Sequence, residues 1–456
     1  MSHQVSQPWM RIGTALAAAA LGLLALGLPT AAASGPMLVK DINPSGSSNP
    51  TQLTRIGNTL FFAADDGVHG VELWKTDGTT AGTKMVKNIR SSAKSSYPDY
   101  LTNFKGTLFF MADDGTHGQE LWKSDGTKAG TVMVKDIHTG PKNQFGGNGT
   151  MLHQAPVVIG DRMFLVVDSC CVGTSDIYVS DGTSAGTIAV TTDLDYELNL
   201  PDPDVTLAHA YDGKLYFVNL GLKDIPCDDC ESEYQLWVSD GTLGGTHRVA
   251  GTPGDELEMG ILPASGKSLY FFANDRLWKT DGTAAGTKAL THAAQLESMP
   301  VEAAYMNDRL YFSTGAIDGA GLWKTDGTAA GTREILVGAA DWLTVSHGRL
   351  DFVRNQALWS TGGSVSSSHR IASFGDQFPL ALTDVGDKIV FAVPDWDSAT
   401  WMLWKSDGTT ARTSRVMSFA GASDREWRPL GAAVGDRFFF AADDGVHGAE
   451  LWSYKP

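Results

Sequence analysis

Leu73-Trp74-Lys75-Thr76-Asp77-Gly78-Thr79 decides the fold, because the chain does not use it once. It returns as Leu121 to Thr127, Leu277 to Thr283, Leu322 to Thr328 and Leu403 to Thr409. Ile177 to Thr183 and Leu236 to Thr242 are looser copies. Leu358-Trp359-Ser360-Thr361 keeps only the beginning, and Leu451-Trp452 is cut off by the chain end. The aromatic of the pair falls at Trp74, Trp122, Tyr178, Trp237, Trp278, Trp323, Trp359, Trp404 and Trp452, about 47 residues apart on average. That period is close to the length of a four-strand propeller blade.

Working outward from the heptapeptide, each unit divides into four strands. A first strand, a, often follows a proline: Pro50, Pro98, Pro156, Pro300, Pro379 or Pro429. A two-residue turn leads to strand b, with pairs such as Gly57-Asn58, Asp212-Gly213 and Gly435-Asp436 that tolerate the positive φ of tight hairpins. Nine such pairs occur, one per unit. Strand b is aromatic, as in Leu60-Phe61-Phe62 and Phe438-Phe439-Phe440. Strand c carries the Leu-Trp pair, and the Asp-Gly-Thr loop turns the chain into strand d. Consecutive apolar residues in b and c imply burial on both faces, whereas a one-sided sheet would alternate.

The chain ends imply closure. The ninth unit has a, b and c but stops at Pro456 without d. Met37-Leu38-Val39-Lys40-Asp41-Ile42 matches Met133-Val134-Lys135-Asp136-Ile137, which is a strand d. The predicted fold is therefore all-β: a single propeller of four-stranded blades, closed by the N-terminal strand joining the last blade. Such a ring leaves only short, protected edges. The turn count gives nine units, with eight as the alternative if the degenerate seventh is no full blade.

The Leu-Trp-x-x-Asp-Gly-Thr core, preceded by Glu72, Glu120 and Glu450, resembles the bacterial secreted ELWxxDGT-repeat family over Met37 to Pro456. The resemblance implies export and a repeated β-fold. It implies no settled activity and no catalytic residues.

Three features are candidates for chemistry. The Asp-Gly-Thr loops place Asp77-Gly78, Asp125-Gly126, Asp181-Gly182, Asp240-Gly241, Asp281-Gly282, Asp326-Gly327 and Asp407-Gly408 between c and d. They resemble the Asp-box turns of sialidase propellers and read as structural turns, because a catalytic site is normally unique and this feature is not. A second motif, between b and c, pairs Asp65-Asp66, Asp113-Asp114 and Asp443-Asp444 with a Gly and with His69, His117 or His447. Paired carboxylates suit Ca²⁺. The alternative is a hairpin loop capped by Asp, with the His packed on Trp.

The third feature is local. Units three and four carry long insertions only in their b–c and d–a loops, which a propeller puts on one face. They gather Asp193, Asp195, Glu197, Asp202, Asp204, Asp224, Asp228, Asp229, Glu231 and Glu233 into an acidic sector, a candidate binding region. All four cysteines, Cys170, Cys171, Cys227 and Cys230, fall in these insertions. An exported chain favours two disulfides, and a Cys₄ zinc site is the alternative.

The formal net charge of -17 argues against nucleic acid and against anionic membrane surfaces. Residues 1–33 read as an export signal: Arg11, an apolar run from Ile12 to Leu28, Pro29, and the small-residue stretch Ala31-Ala32-Ala33. The run is short for a membrane span. The expectation is a secreted, extracellular monomer, residues 34–456 forming the propeller, with no membrane insertion after cleavage. No phosphate loop, G-x-S-x-G elbow or H-E-x-x-H is found. The expected function is a non-catalytic scaffold that holds a protein or glycan on the face carrying the b–c and d–a loops, without a cofactor. A propeller glycoside hydrolase or lyase and a calcium-dependent adhesin are the alternatives.

Overall fold

The computed structural model describes residues 35–91, 93–138, 149–152, 154–169, 174–191, 208–222, 232–254, 259–265, 268–292, 296, 300–315, 320–421 and 431–456. The fold is all-β and propeller-like, built from antiparallel sheets in which the chain runs up and down through neighbouring strands. The first sheet shows the pattern: Thr51–Ile56 pairs with Thr59–Asp65, that with Val71–Thr76, and that with Lys84–Lys87. The second repeats it from Asp99–Phe104 to Val132–Lys135. The seventh unit, whose heptapeptide is degenerate, still forms four strands from Asp341–Ser346 to His369–Ser373.

The hairpin chemistry works as the residue types require. Lys105-Gly106, Asp212-Gly213, Asn307-Asp308 and His347-Gly348 all take positive φ in their two-residue turns. Burial follows from stacking. In Thr59–Asp65 the five central residues are all buried, so both faces of the strand are covered. The core is correspondingly divided into clusters between successive sheets. Phe61, Leu73, Val86 and Ile89 of one sheet pack with Leu101, Leu108, Phe110 and Trp122 of the next. Each such layer removes several large side chains from water, roughly 1.5–3 kcal/mol apiece before entropy is charged against it.

The two chain ends meet. Met37–Lys40 pairs antiparallel with Ala449–Tyr454, Leu38 lying opposite Trp452. Its burial pattern is that of the fourth strands Lys84–Lys87 and Val132–Lys135. Val39, Ile42 and Leu451 then pack with Leu60, Phe62 and Trp74 of the first sheet. The neighbouring unit, Leu380–Val385 to Ser414–Ala420, is hydrogen-bonded onto this last one through Ala420 and Asp443, giving a continuous eight-stranded sheet. Trp401 stacks on Phe419, and Phe440 and Trp452 of the last unit meet these rings edge to face across that junction.

One backbone feature has no sequence signal. The first strand is bulged in several units, and the bulge carries positive φ at Gln52, Tyr100, Trp342 and Ala381. None is glycine, so each costs on the order of 1–2 kcal/mol locally. The hydroxyl two residues on spans the kink: Thr54 Oγ1 donates to the Gln52 carbonyl (3.0 Å), and Thr102, Thr344 and Thr383 do the same.

Candidate functional site

The Asp-Gly-Thr loops are self-contained. Asp125 Oδ1 accepts the Thr127 N–H (2.8 Å) and hydroxyl (2.7 Å), and Thr127 Oγ1 accepts the Gly130 N–H (2.9 Å). Ser124 and Thr131 close the loop base hydroxyl to hydroxyl at 2.7 Å. The same bonds recur around Asp77, Asp181, Asp240, Asp281 and Asp326. Asp407 keeps both Thr409 bonds and the hydroxyl pair at the base, with Arg412 standing where the siblings have glycine. The bonds from the neighbouring Thr hydroxyl hold the Asp carboxyls below the usual carboxylate range. A Cβ on Gly130 would overlap the Asp125 carboxylate, which those two bonds hold in place. Gly130→Ala is therefore expected to cost about 2 kcal/mol in a urea melt. Gly244→Ala, where a Cβ meets nothing within 4 Å, should stay within about 0.5 kcal/mol of the parent.

In the second motif each carboxylate also serves its own loop. Asp66 Oδ1 accepts the Val68 and His69 N–H groups (2.9 and 2.8 Å), and Oδ2 meets His69 Nδ1 at 2.8 Å. Asp114 with His117 and Asp444 with His447 repeat the pair. Burial would raise the Asp66 carboxyl, but the bonds from His69 bring it below its ordinary value. The Asp114 carboxylate holds the His117 imidazole above its usual range, as Asp444 does for His447. Asp65, Asp113 and Asp443 each accept the N–H of the following glycine. Asp113 also takes Arg90 from the preceding d–a loop. Among the described residues no group of three or more His, Cys, Asp or Glu side chains is arranged to hold a metal ion.

The acidic sector lies mostly outside the described residues: Asp193, Asp195, Glu197, Asp202, Asp204, Asp224, Asp228, Asp229 and Glu231, with all four cysteines, are among those not described. Glu233 is placed by its backbone in the strand Ser232–Ser239, opposite Gly221. The described stems show how the insertions leave the sheets. In unit four the b–c hairpin runs on as paired strand to Leu222 and Ser232. Gln154 bridges the two units, its amide exchanging hydrogen bonds with both the N–H and the carbonyl of Ala208. Next to Ala208, burial pushes the His209 imidazole down to about 4.

Two elements of this loop-bearing face escaped the sequence reading. The first is the motif glutamate. Glu72, Glu120 and Glu450 are fully buried, and each carboxylate gathers the d–a loop onto strand c. Glu72 accepts from the Ile89 and Arg90 N–H groups (2.8 and 3.2 Å) and from Ser96 Oγ (2.7 Å). Glu120 accepts from Ile137, His138 and Thr150. Glu450 accepts from Ile42, Asn43 and both donors of Ser48. Burial pushes all three carboxyls up, Glu120 to about 7, against hydrogen bonds that favour the ionised form.

The second is a set of exposed aromatic rings on fixed backbone. Tyr97 is 60% exposed, yet its N–H donates to Val71 and its carbonyl accepts from Gln119. Trp396 is 45% exposed at the tip of a loop in which Asp395 accepts the N–H groups of Asp397 and Ser398. Phe378 is equally exposed just before the strand Leu380–Val385. The available signal was an aromatic beside proline or aspartate in a short loop, which is weak on its own.

No family model and no curated relative matches the sequence. Among solved structures, one from work on two prolyl endopeptidases and the role of inter-domain dynamics in their catalysis and specificity is similar to 78% of this chain, at 13% identity and a TM-score of 0.42. The match covers 56% of that protein, so the chain spans little more than half its length.

Proposed function

We propose that the protein is an exported, non-catalytic scaffold of the ELWxxDGT-repeat type. It forms one closed nine-bladed propeller and holds an extracellular protein or glycan on the face carrying the b–c and d–a loops. The observation that carries the reading is Tyr97, Phe378 and Trp396, large rings offered to solvent from loops whose backbones are already hydrogen-bonded. Rigid aromatic side chains contribute contact area at low entropic cost, and scaffold loops are where binding concentrates.

Closure of the ring is supported by bonds the last unit shares with its siblings. Lys40 Nζ donates to the Thr83 carbonyl (2.9 Å), as Lys87 does to Thr131 and Lys135 to Thr187 (2.7 Å each). Gly78 rests on the Phe439 ring as Gly126 does on Phe61 and Gly182 on Phe109. Ala432–Val434 also touches Thr51–Ile56, as first strands of successive sheets do elsewhere.

The test is a panel of soluble polysaccharides and envelope extracts incubated with the mature protein. Trp396→Ala, Phe378→Ala and Tyr97→Ala should each weaken capture of whatever the parent retains, about tenfold for a ring at the centre of the contact, with unchanged melting. Trimming the insertions of units three and four should likewise spare the fold and lower binding. Turnover of a glycan by the purified protein would replace this reading with a catalytic one.

A further inference from the structure

We infer that the eighth unit carries a subsite for a neutral sugar ring, held by Phe378 and Trp396. The site belongs to the face assigned to binding above and rests on that reading; what is added is the chemistry of the partner. The two rings belong to one strand pair. Leu380–Val385 and Lys388–Asp395 run antiparallel, with Leu380 opposite Ala392. Phe378 stands two residues before the first of these strands, and Trp396 directly after the second. Both therefore rise from the same end of the same hairpin, and each is 45% exposed.

Neither ring sits on slack chain. The loop that brings Phe378 is anchored at Phe374, whose ring meets Phe391 and Trp404 edge to face, with centroids 5.8 and 5.1 Å apart. The Phe374 N–H donates to the Gln356 carbonyl (3.0 Å), and buried Pro379 follows Phe378 directly. Trp396 tops a hairpin whose strands stay paired as far as Asp395 and Thr400. The b–c loops of units one, two and nine carry Val68, Thr116 and Val446 at their tips and no Trp, Tyr or Phe. In the seventh unit, the neighbour on one side, the chain passes from b to c in two residues, Asn355-Gln356, both at positive φ. No long b–c loop of that unit stands beside Trp396. Rings fixed in this way lose little entropy when a ligand covers them.

The polar groups around the rings decide what kind of ligand fits. Residues 374–379 and 394–400 contain no lysine, arginine or histidine, and their ionisable side chains are the carboxylates Asp376, Asp395 and Asp397. An acidic polymer is repelled there. Loop N–H groups are already spent within the loops: Gln377 donates to the Phe374 carbonyl (3.2 Å), and Asp397 and Ser398 donate to Asp395 Oδ1 (3.2 and 3.4 Å). The Ser398 and Thr400 hydroxyls bond each other at 2.7 Å. Asp376 and Asp397 are exposed, so the outward polar groups are chiefly acceptors. A peptide backbone brings one acceptor for every donor and finds few donors here to meet its carbonyls. A pyranose matches both parts of the surface. Its hydroxyls donate to carboxylates, and its C–H face lies against the electron-rich face of an aromatic ring.

The test is calorimetric titration of the full mature chain with cellohexaose, laminarihexaose and mannohexaose, with hexagalacturonate as the acidic counterpart and trilysine as the cationic one. Saturable binding of at least one neutral hexasaccharide is expected, with hexagalacturonate bound more weakly than it. Trp396→Ala and Phe378→Ala should each weaken the neutral sugar about tenfold at an unchanged melting temperature, and Trp396→Phe, which keeps a ring, should recover most of that loss. Asp376→Asn combined with Asp397→Asn should narrow the gap between the acidic and the neutral sugar. Absence of saturable binding of all three neutral sugars at tens of millimolar overturns the inference. So does neutral-sugar binding that is the same in both ring variants and the parent, or a preference for hexagalacturonate or trilysine. Where the ring variants lose a protein captured from an envelope extract and no sugar binds, the sugar assignment falls while the scaffold reading stands.

Discussion

Glu450→Ala is expected to release the N-terminal strap from an otherwise folded protein. The carboxylate is the shared acceptor for the N–H groups of Ile42 (3.0 Å), Asn43 (3.2 Å) and Ser48 (3.1 Å) and for the Ser48 hydroxyl (2.6 Å). Alanine leaves those donors buried beside a cavity. Each unmet donor costs about 1–3 kcal/mol, and partial entry of water brings the total to roughly 3–5 kcal/mol. The loss falls on the segment from Met37 to Pro50, because the sheets on either side keep their own hydrogen bonds. Amide exchange in the strand Met37–Lys40, where Leu38 pairs with Trp452 and Lys40 with Leu451, should accelerate roughly a hundred- to a thousandfold. Glu450→Gln keeps one carbonyl acceptor and should lose about half as much free energy. Exchange in Met37–Lys40 that is unchanged in Glu450→Ala would show that the apolar contacts of Val39 and Ile42 alone hold the strap.

This carboxylate explains what the sequence made legible and what it did not. The repeat, the hairpin turns and the kinship of Met37–Lys40 with a fourth strand follow from local residue types, so they are written in the chain. The match of Lys40-Asp41-Ile42 to Lys135-Asp136-Ile137 is a match of roles: the lysine reaches the next unit, and the isoleucine amide reaches the motif glutamate. The role of the glutamate itself was not legible. Its partners lie about seventeen residues downstream in two units and at the opposite chain end in the third, and a lone Glu before Leu-Trp gives no hint of burial. The bulges at Gln52, Tyr100, Trp342 and Ala381 were hidden for a different reason. Their left-handed backbone is imposed by strand pairing and braced by a threonine, on residues that would not choose it.

The candidate sites divide along the same line. Repeated motifs close on themselves: Asp66 and Asp114 spend their oxygens on their own loops. The features that do not repeat are the ones that face outward. Trp396 and Phe378 each occupy a place where a sibling unit has something different. In a repeat scaffold each unit packs only on its neighbours, so the residues the units share are the ones that build the frame.

The buried glutamates also set how the frame responds to pH, with Glu120 contributing most. Burial raises its carboxyl from 4.5 to about 7. Between those values the folded protein holds a proton that the unfolded chain has released, so stability falls as pH rises. The contribution is complete below about pH 4.5 and is lost as pH climbs through 7, on the order of 3 kcal/mol for this group. Glu72 and Glu450 are shifted in the same direction, and His117 adds a smaller term of the same sign at the surface. The Asp-Gly-Thr carboxyls act oppositely. Their folded values lie below 3.8, so their contribution is present above that value and is lost only in stronger acid. Stability should therefore peak near pH 4–5 and decline toward pH 7.5. Glu120→Gln keeps the side-chain shape and an acceptor for Ile137 but cannot ionise, so the difference in urea midpoint between pH 5 and pH 7.5 should shrink markedly. A variant that retains the full difference would place the titration on another group, and the Glu120 carboxylate would then be ionised in the fold, held by its three donors.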